Sequence, residues 1–317
     1  MIYADLHCDT LTEYADLREN DGQVSFPKLH AAGCRTMCFA AFVRMEKGDL
    51  FATAMAYADK LRREIARNAD IADRVLCASD MRRAAAHGKV GAMLTVEEGA
   101  VVEGDIANVR RLHRAGVRMM TLTWNYANAL GCPNATMDEY AARGERALYD
   151  VSDAPLTEFG RAVLAEMNAA GVLADVSHLS DGGFWDVVRL STKPVVASHS
   201  NARAVRAVGR NLTDAQIAAL SAKGGVMGLN LCPDFLCAKG ADVLEWAVRH
   251  AVHIWQTGGE DVLAFGADFD GTKTRAPLAD CTNTPLLYGA LCDQMPPRVV
   301  DKMMWGNFLR VLEDACG

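Results

Sequence analysis

Eight short apolar runs recur along this chain, and each of them ends in or beside a polar residue. The runs are rich in Val, Ile, Leu, Met and Ala, and stretches with helical spacing of apolar residues separate them. Such continuous apolar runs are typical of buried parallel strands joined by crossover helices. In chain order they read IYADLH, TMCFAAFV, GAMLTVE, VRMMTLTW, GVLADVSH, PVVASH, GGVMGLNL and VLAFGAD. Eight strand–helix units predict an α/β fold of the (β/α)8 TIM-barrel type.

The intervening segments carry start and stop signals of helices. In LTEFGRAVLAEMNAAG the apolar residues follow a helical period from Thr157, and Gly171 supplies a left-handed cap. The stretch ANVRRLHRAG ends in the same way at Gly116, directly before the run VRMMTLTW. Thr213 opens a third such helix. This order of helix, glycine and strand supports the barrel prediction.

The chain is long enough for one barrel. Its 317 residues, half of them hydrophobic, can bury a single large core. We therefore expect one domain over residues 1–317, with elaborated loops at about 44–89 and 125–170. The first loop contains the amphipathic stretch FATAMAYADKLRREIARN, and the second contains the turn-rich stretch GCPN, which is expected at the rim of the active site.

Charge and hydropathy exclude several classes of partner. The 33 basic and 40 acidic residues give a net charge of −7, which favours neither nucleic acid nor an anionic membrane. No stretch approaches the roughly 20 apolar residues that span a bilayer, and the first residues enter a strand pattern without a leader. Ten scattered cysteines without CxxC pairs indicate reduced thiols. We expect a cytoplasmic protein whose oligomeric state is open, a homo-oligomer included.

Histidines and carboxylates stand where the strand-like runs end. The residues in question are His7, Asp9, Glu98, His178, His199 and Asp268. In a (β/α)8 barrel the carboxyl ends of the strands form one face, and active sites are built there. Residues nearly two hundred positions apart are thus predicted to converge.

Three imidazoles and two carboxylates form a ligand set that suits zinc, with iron, cobalt and manganese as alternatives. A catalytic zinc usually takes three protein ligands and keeps one position open, so five ligands indicate two metal ions. The sequence therefore predicts two Zn²⁺ per chain, held by His7, Asp9, Glu98, His178 and His199. We assign the bridge between the ions to Glu98, because a carboxylate has two oxygens and this strand lies between those of the two ligand pairs.

The remaining histidines have plainer interpretations. Of eight histidines only three close strand-like runs, and a histidine at a strand end is often only hydrogen-bonded. His250 and His253 are three residues apart on a predicted helix, but no strand-end carboxylate accompanies them. We interpret these two as packing or surface residues.

The motifs as a set resemble the membrane dipeptidase family, peptidase family M19. They occur in the order HCDT, EEGA, TLTWNYAN, DVSHLS, PVVASHSNARAVRAVGRN and GADFDG, from Asp5 to about Gly271. The resemblance implies a barrel of the metallo-dependent hydrolase type with two zinc ions. It also implies hydrolysis of dipeptides, often with a D-residue at the C-terminal position.

The resemblance adds roles for two further residues. Arg210, in VGRN, is expected to bind the terminal carboxylate of the substrate, for which a guanidinium fork is well shaped. Asp268 is expected to handle the proton of the attacking water. Asp270 is its rival, but Asp268 directly closes the last run.

One position departs from the family's pattern. The family carries a carbonyl-polarising histidine in a TLTH context, where this chain has Trp124 in TLTW. An indole offers one N–H donor and cannot ligate a metal. Either Asn125 or Asn128 is expected to take over the contact to the carbonyl oxygen, or one zinc ion does so alone, or the substrate preference differs. Trp124 is expected at the substrate, with a packing aromatic as its plainer interpretation.

The sequence thus predicts a zinc-dependent metallodipeptidase with a small dipeptide as its partner. A related amidohydrolase that cleaves N-acyl amino acids, lactams or lactones is the alternative, since the metal centre does not by itself choose an amide. A scaffold protein without activity would have lost ligands or the proton-handling carboxylate, and this chain retains them.

Overall fold

A barrel of parallel strands surrounded by helices dominates the computed structural model, which describes residues 1–316. The strands are β1 Tyr3–Cys8, β2 Cys34–Phe42, β3 Ala72–Arg74, β4 Val90–Glu97, β5 Val117–Thr121, β6 Leu173–Asp175, β7 Val195–Ala197, β8 Val226–Leu229 and β9 Leu263–Phe265. Neighbouring strands follow the order β1-β2-β4-β5-β6-β7-β8-β9, all parallel. The predicted (β/α)8 barrel is confirmed.

Main-chain contacts between the end of β1 and the segment that follows β9 join the two ends of the sheet. Cys8 forms a parallel bridge with Phe269, and the N–H of Asp9 donates to the carbonyl of Phe269 at 3.0 Å. The N–H of Asp268 donates to the carbonyl of His7 at 3.3 Å. Two segments that carry predicted site residues are therefore joined directly by the backbone.

Helices occupy the connections between the strands. They are α1 Thr10–Glu13, α2 Phe26–Ala32, α3 Leu50–Arg67, α4 Ala78–Ala86, α5 Ala107–Ala115, α6 Met137–Arg143, α7 Glu158–Ala170, α8 Asp181–Leu190, α9 Asp214–Ala222, α10 Pro233–Leu236, α11 Val243–Gly258, α12 Thr284–Cys292, α13 Pro297–Asp301 and α14 Asn307–Cys316. Short 3-10 turns lie at Met45–Lys47, Gly99–Val102, Gly144–Tyr149 and Cys281–Asn283, and a π-turn at Lys302–Gly306 joins α13 to α14.

The predicted helix boundaries follow from capping chemistry. The hydroxyl of Thr157 accepts the N–H of Gly160 at the start of α7, and Gly171 ends that helix at φ +77°. Thr213 and Gln216 form a reciprocal capping box at the start of α9. Gly116 has φ +117° after α5, a conformation that favours glycine.

One layer of buried apolar side chains shows which residues face the interior of the barrel. Each of the eight barrel strands contributes a side chain to it, and α14 adds Phe308 and Val311. The strand residues include Leu6, Cys38, Met93, Met119, Leu173, Val196, Val226 and Ala264. Side chains alternate along a strand, so Glu97, Asp175 and Ser198 lie on the same inner face as Met93, Leu173 and Val196.

The two elaborated loops contain secondary structure of their own. Residues 44–89 hold a 3-10 turn, α3, β3 and α4, and residues 125–170 hold α6, a 3-10 turn and α7. The short strand β3, which the sequence analysis did not identify, pairs with the first part of β4 at Val90 to Ala92. Among the described helices, none combines the length and the apolar character needed to cross a bilayer.

Candidate metal centre

Three histidines and three carboxylates meet at the carboxyl end of the barrel. Their side chains are buried, and the most exposed of them, that of Asp268, is 12% exposed. The six residues are His7, Asp9, Glu97, His178, His199 and Asp268. The structure therefore brings together every predicted ligand except Glu98.

Glu97 lies between the other members of the cluster. Its Oε2 is 3.4 Å from Nε2 of His7, whereas its Oε1 is 3.2 Å from Nε2 of His178 and 3.7 Å from Nε2 of His199. One oxygen thus faces the His7 side and the other faces the pair of histidines from β6 and β7. This is the geometry of a carboxylate that can be shared by two cations.

Glu98, predicted as the bridge, is directed elsewhere. Its Oε1 accepts the N–H of Ala100 at 2.9 Å and Nδ2 of Asn128 at 2.5 Å, and its Oε2 accepts the N–H of Trp124 at 3.0 Å. The backbone leaves β4 at Glu98 with φ +87°, which turns this side chain toward the following loop. Glu97, and not the predicted Glu98, therefore lies at the centre of the cluster.

The remaining members face His7. Oδ2 of Asp9 lies 3.4 Å from Nε2 of His7, and Oδ1 of Asp268 lies 4.0 Å from the same atom. Gly271 leaves room for both carboxylates, because an added Cβ would lie 2.1 Å from Oδ2 of Asp9 and 2.5 Å from Oδ1 of Asp268. Asn230, the second-last residue of the seventh run and not singled out in the sequence, donates to Oδ2 of Asp268 at 3.2 Å.

Asn125 determines how His178 presents its ring. Nδ1 of His178 is 2.9 Å from Oδ1 of Asn125, and a carbonyl oxygen can only accept, so Nδ1 carries the proton. Nε2 of His178 then has a free lone pair directed at the centre. Asn125, predicted to contact substrate, therefore orients a histidine in this structure.

Electrostatics keep two of the rings neutral. Burial, with a smaller contribution from the positive charge of Arg210, lowers the pKa of His178 to about 4, and burial lowers that of His199 well below its ordinary value. Burial opposes the charge on Glu97, but the proximity of His7 and His178 lowers its pKa overall. Neutral imidazoles beside an ionised carboxylate are the forms that bind metal.

The arrangement fits metal cations. Nε2 of His178 and Nε2 of His199 are only 3.0 Å apart, although both rings have their Nδ1 in contact with another side chain. Nε2 of His7 and Oδ1 of Asp9 are buried without a hydrogen-bond partner. Lone pairs that face each other in a buried site are unfavourable unless a cation lies among them. The nitrogen and oxygen donors are those that zinc prefers.

A cavity of about 750 Å³ opens beside the cluster and is lined by Asp9, Glu97, His178 and Asp268. Trp124 forms part of its wall, with its ring 4.9 Å from that of Phe42. The indole ring centre is 6.1 Å from that of His178. Trp124 is thus placed where it can meet a substrate.

Arg210 lies beside the cluster at the carboxyl end of the barrel. Its Nη1 donates to Oγ of Ser200 at 2.7 Å and its Nη2 to the carbonyl of His199 at 2.9 Å, while its Nε is buried without a partner. With His178 and Asn125 it lines a small recess. The guanidinium is anchored to the segment of a site histidine and retains N–H groups for a ligand.

The rival residues have other partners. Asp270 accepts Oγ1 of Thr10 at 2.6 Å and the N–H of Gln23 at 2.7 Å. Arg203 forms a two-pronged pair with Asp181, with both contacts at 2.7 Å. His250 is buried and accepts the N–H of Ala202, and His253 pairs with Asp214, so both have contacts outside the centre.

Comparison with known proteins places the chain in a family. The sequence model of the membrane dipeptidase family, peptidase family M19, matches residues 1–316. An uncharacterised protein from the pqqA 5′ region of Klebsiella pneumoniae is 35% identical over 263 residues, which are 80% of this chain and 93% of that protein.

Two solved structures share the whole fold. A metallopeptidase from Rhodobacter sphaeroides, bound to a phosphinate mimic of the dipeptide L-Ala-D-Ala, is 26% identical with a TM-score of 0.89 over 99% of each chain. A dipeptidase of metallopeptidase family M19 is 27% identical with a TM-score of 0.89, over 99% of this chain and 98% of its own. The chain belongs to the membrane dipeptidase family, peptidase family M19, and is a metal-dependent dipeptidase.

Proposed function

We propose that this chain holds two zinc ions and hydrolyses dipeptides, including those with a D-residue at the C-terminal position. The observation that carries the proposal is the placement of Glu97, whose two oxygens face His7 on one side and His178 and His199 on the other. His7 and Asp9 would hold one ion, His178 and His199 the other, and Glu97 both.

Metal ions bound in this way acidify water and polarise a carbonyl oxygen. Asp268 would take a proton from the water as its oxygen bonds to the peptide carbon, and would deliver that proton to the nitrogen as the C–N bond breaks. Burial raises the pKa of Asp268 to about 7. A buried carboxylate at this position can hold the proton between the two halves of the transfer.

Arg210 would bind the terminal carboxylate of the substrate. Its unpaired Nε and the recess that it shares with His178 place a buried cation beside the centre. A substrate must then reach from the metal centre to the arginine, which favours dipeptides over longer peptides. Trp124 would pack against a substrate side chain, because its ring lines the cavity next to Phe42.

Tolerance of a D-residue has support from a relative. The Rhodobacter sphaeroides metallopeptidase, which shares the fold of this chain, was solved with a phosphinate mimic of L-Ala-D-Ala. Net charge favours a small-molecule partner over nucleic acid. A cytoplasmic location is also proposed, and cell fractionation tests it. The oligomeric state is open, and light scattering distinguishes a monomer from a homo-oligomer.

A substrate panel on zinc-loaded protein tests the function. It compares L-Ala-D-Ala, L-Ala-L-Ala, N-acetyl-L-Ala-D-Ala and a tripeptide, with metal content measured on the same preparation. We expect two zinc ions per chain, cleavage of both dipeptides and little cleavage of the other two compounds. Faster cleavage of the N-acetylated compound would instead identify an N-acyl amino acid hydrolase. At most one ion per chain after zinc loading would contradict the dinuclear centre.

A further inference from the structure

A buried chain of hydrogen bonds runs from the ring of His199 into the barrel. Nδ1 of His199 is 2.7 Å from Oγ of Ser198, and that hydroxyl is 2.5 Å from Oδ2 of Asp175. All three residues are at most 1% exposed. Asp175 ends β6 and Ser198 follows β7, so two neighbouring strands hold the chain.

The chemistry of Asp175 sets the direction of these bonds. Besides the Ser198 hydroxyl, its carboxylate faces Oγ1 of Thr121 at 2.7 Å and the N–H groups of Ser177 and Ser198, each at 2.9 Å. A carboxylate is an acceptor, so the Ser198 hydroxyl donates to it and must accept from His199. His199 therefore carries its proton on Nδ1, and its Nε2 lone pair faces the centre.

The backbone around Ser198 is held closely. Added Cβ atoms at Gly228 and Gly266 would lie 2.0 and 1.8 Å from the carbonyl oxygen of Ser198, so both neighbouring segments approach it without side chains. The ring of His199 also stacks on that of His7, with 3.9 Å between their centres. The hydroxyl of Ser198 thus meets the His199 ring from a fixed position.

The two histidines of one proposed metal site are oriented by different means. His178 donates to Asn125, a neutral amide in the loop after β5, whereas His199 donates through a hydroxyl to a buried carboxylate in the barrel wall. A hydrogen bond to the second nitrogen of a ligating histidine fixes its tautomer and makes it a stronger ligand. A carboxylate behind that bond strengthens the effect.

We propose that Ser198 and Asp175 are positioning residues that fix the Nδ1–H tautomer of His199 and so strengthen one of the two metal sites. The proposal rests on the metal centre described under Proposed function. A purely structural role is the competing explanation, since Asp175 also binds main-chain N–H groups of Ser177 and Ser198.

Ser198→Ala separates the two explanations, because it removes the hydroxyl and leaves both main-chain bonds to Asp175. Thr121→Val is the matched control: it removes another hydroxyl from Oδ2 of Asp175 but leaves the link to His199 intact. Zinc affinity is measured by chelator competition on both folded variants. We expect a roughly 10- to 100-fold loss for one of the two ions in Ser198→Ala, and near wild-type affinity in Thr121→Val. Equal losses in both variants, or no loss in Ser198→Ala, would overturn the proposal.

A second measurement needs no variant to fold and no bound zinc. Long-range ¹H–¹⁵N spectra of metal-free wild-type protein labelled at histidine report which ring nitrogen of His199 carries the proton. We expect the proton on Nδ1. A proton on Nε2 would contradict the proposed hydrogen bond from His199 to Ser198. If the wild type shows this tautomer but binds at most one zinc ion, the dinuclear proposal fails while the assignment of Ser198 stands.

Discussion

Glu97 and Glu98 are adjacent in the chain, but their carboxylates belong to different networks. Oε2 of Glu97 lies 3.4 Å from Nε2 of His7, whereas Oε2 of Glu98 accepts the main-chain N–H of Trp124 at 3.0 Å. The positive φ of Glu98 makes this division possible, because the chain turns there immediately after β4. One glutamate thus serves the metal centre, and the other fixes the loop that carries Trp124 and Asn125.

Substitution of each glutamate by glutamine should separate these roles. Glu97→Gln should lower the occupancy of both metal sites, because a neutral amide is a poor bridge. Glu98→Gln should keep both ions, since its carboxylate does not reach the cluster, but should destabilise the loop. Metal content per chain and thermal unfolding of the two variants measure the difference. Loss of both ions from Glu98→Gln alone would return the bridging role to Glu98.

The convergence of distant residues was predictable from the strand pattern. His7 lies far from His178 and His199 in sequence, and the parallel barrel brings their strand ends together as expected. The choice between Glu97 and Glu98 depended on which residue faces inward and on the sign of one φ angle. Side chains alternate along β4, so Met93, Thr95 and Glu97 share one face of the strand. This alternation, together with the end of the third run at Glu97, would have favoured Glu97 over Glu98.

Contacts made by loops were not predictable in the same way. The bond between Asn125 and His178 depends on the path of the chain after β5, which apolar periodicity does not determine. The link from His199 through Ser198 to Asp175 depends on strand register. The three-residue strand β3 is too short to stand out as an apolar run.

Asp268→Asn should lower kcat by about two to four orders of magnitude and leave metal content near normal, as expected for a lost general acid/base. The amide can still accept from Asn230, so the fold is retained. Asp270→Asn is the matched control, because its carboxylate is already occupied by Thr10 and Gln23. Steady-state kinetics and metal analysis of both variants test this assignment of Asp268. A larger kinetic loss in the Asp270 variant, or loss of metal from the Asp268 variant, would contradict the assignment.

His250 should make the stability of the metal-free protein depend on pH. Burial lowers its folded-state pKa from 6.5 to about 4, so between these values the unfolded chain binds a proton that the folded chain does not. The contribution of neutral His250 is therefore fully present above pH 6.5 and is lost as the pH falls toward 4. This pKa shift of His250 corresponds to about 3 kcal/mol in the free energy of unfolding.

Urea unfolding with a chelator from pH 4 to 7.5 measures this contribution. In His250→Asn the carbonyl oxygen can still accept the N–H of Ala202, but the titrating group is gone. The stability of this variant should fall less steeply with acidification than that of the wild type. Identical pH profiles would show that His250 does not control this dependence.

Arg210→Met should reduce kcat/KM for dipeptides strongly, by about 2 to 5 kcal/mol, because the substrate carboxylate would lose its buried partner. The same change should matter far less for a dipeptide amide, which has no terminal charge. The discrimination between acid and amide should therefore shrink toward unity in the variant. Arg206→Met is the comparison variant and should keep the wild-type preference for the free carboxylate; the guanidinium of Arg206 lies 5.9 Å from the ring of Tyr149. If Arg210→Met keeps the wild-type preference for the free carboxylate, another cation must bind that end. Arg206, with its buried unpaired Nε, would then be a stronger candidate than Arg203, whose two Nη atoms already bind Asp181.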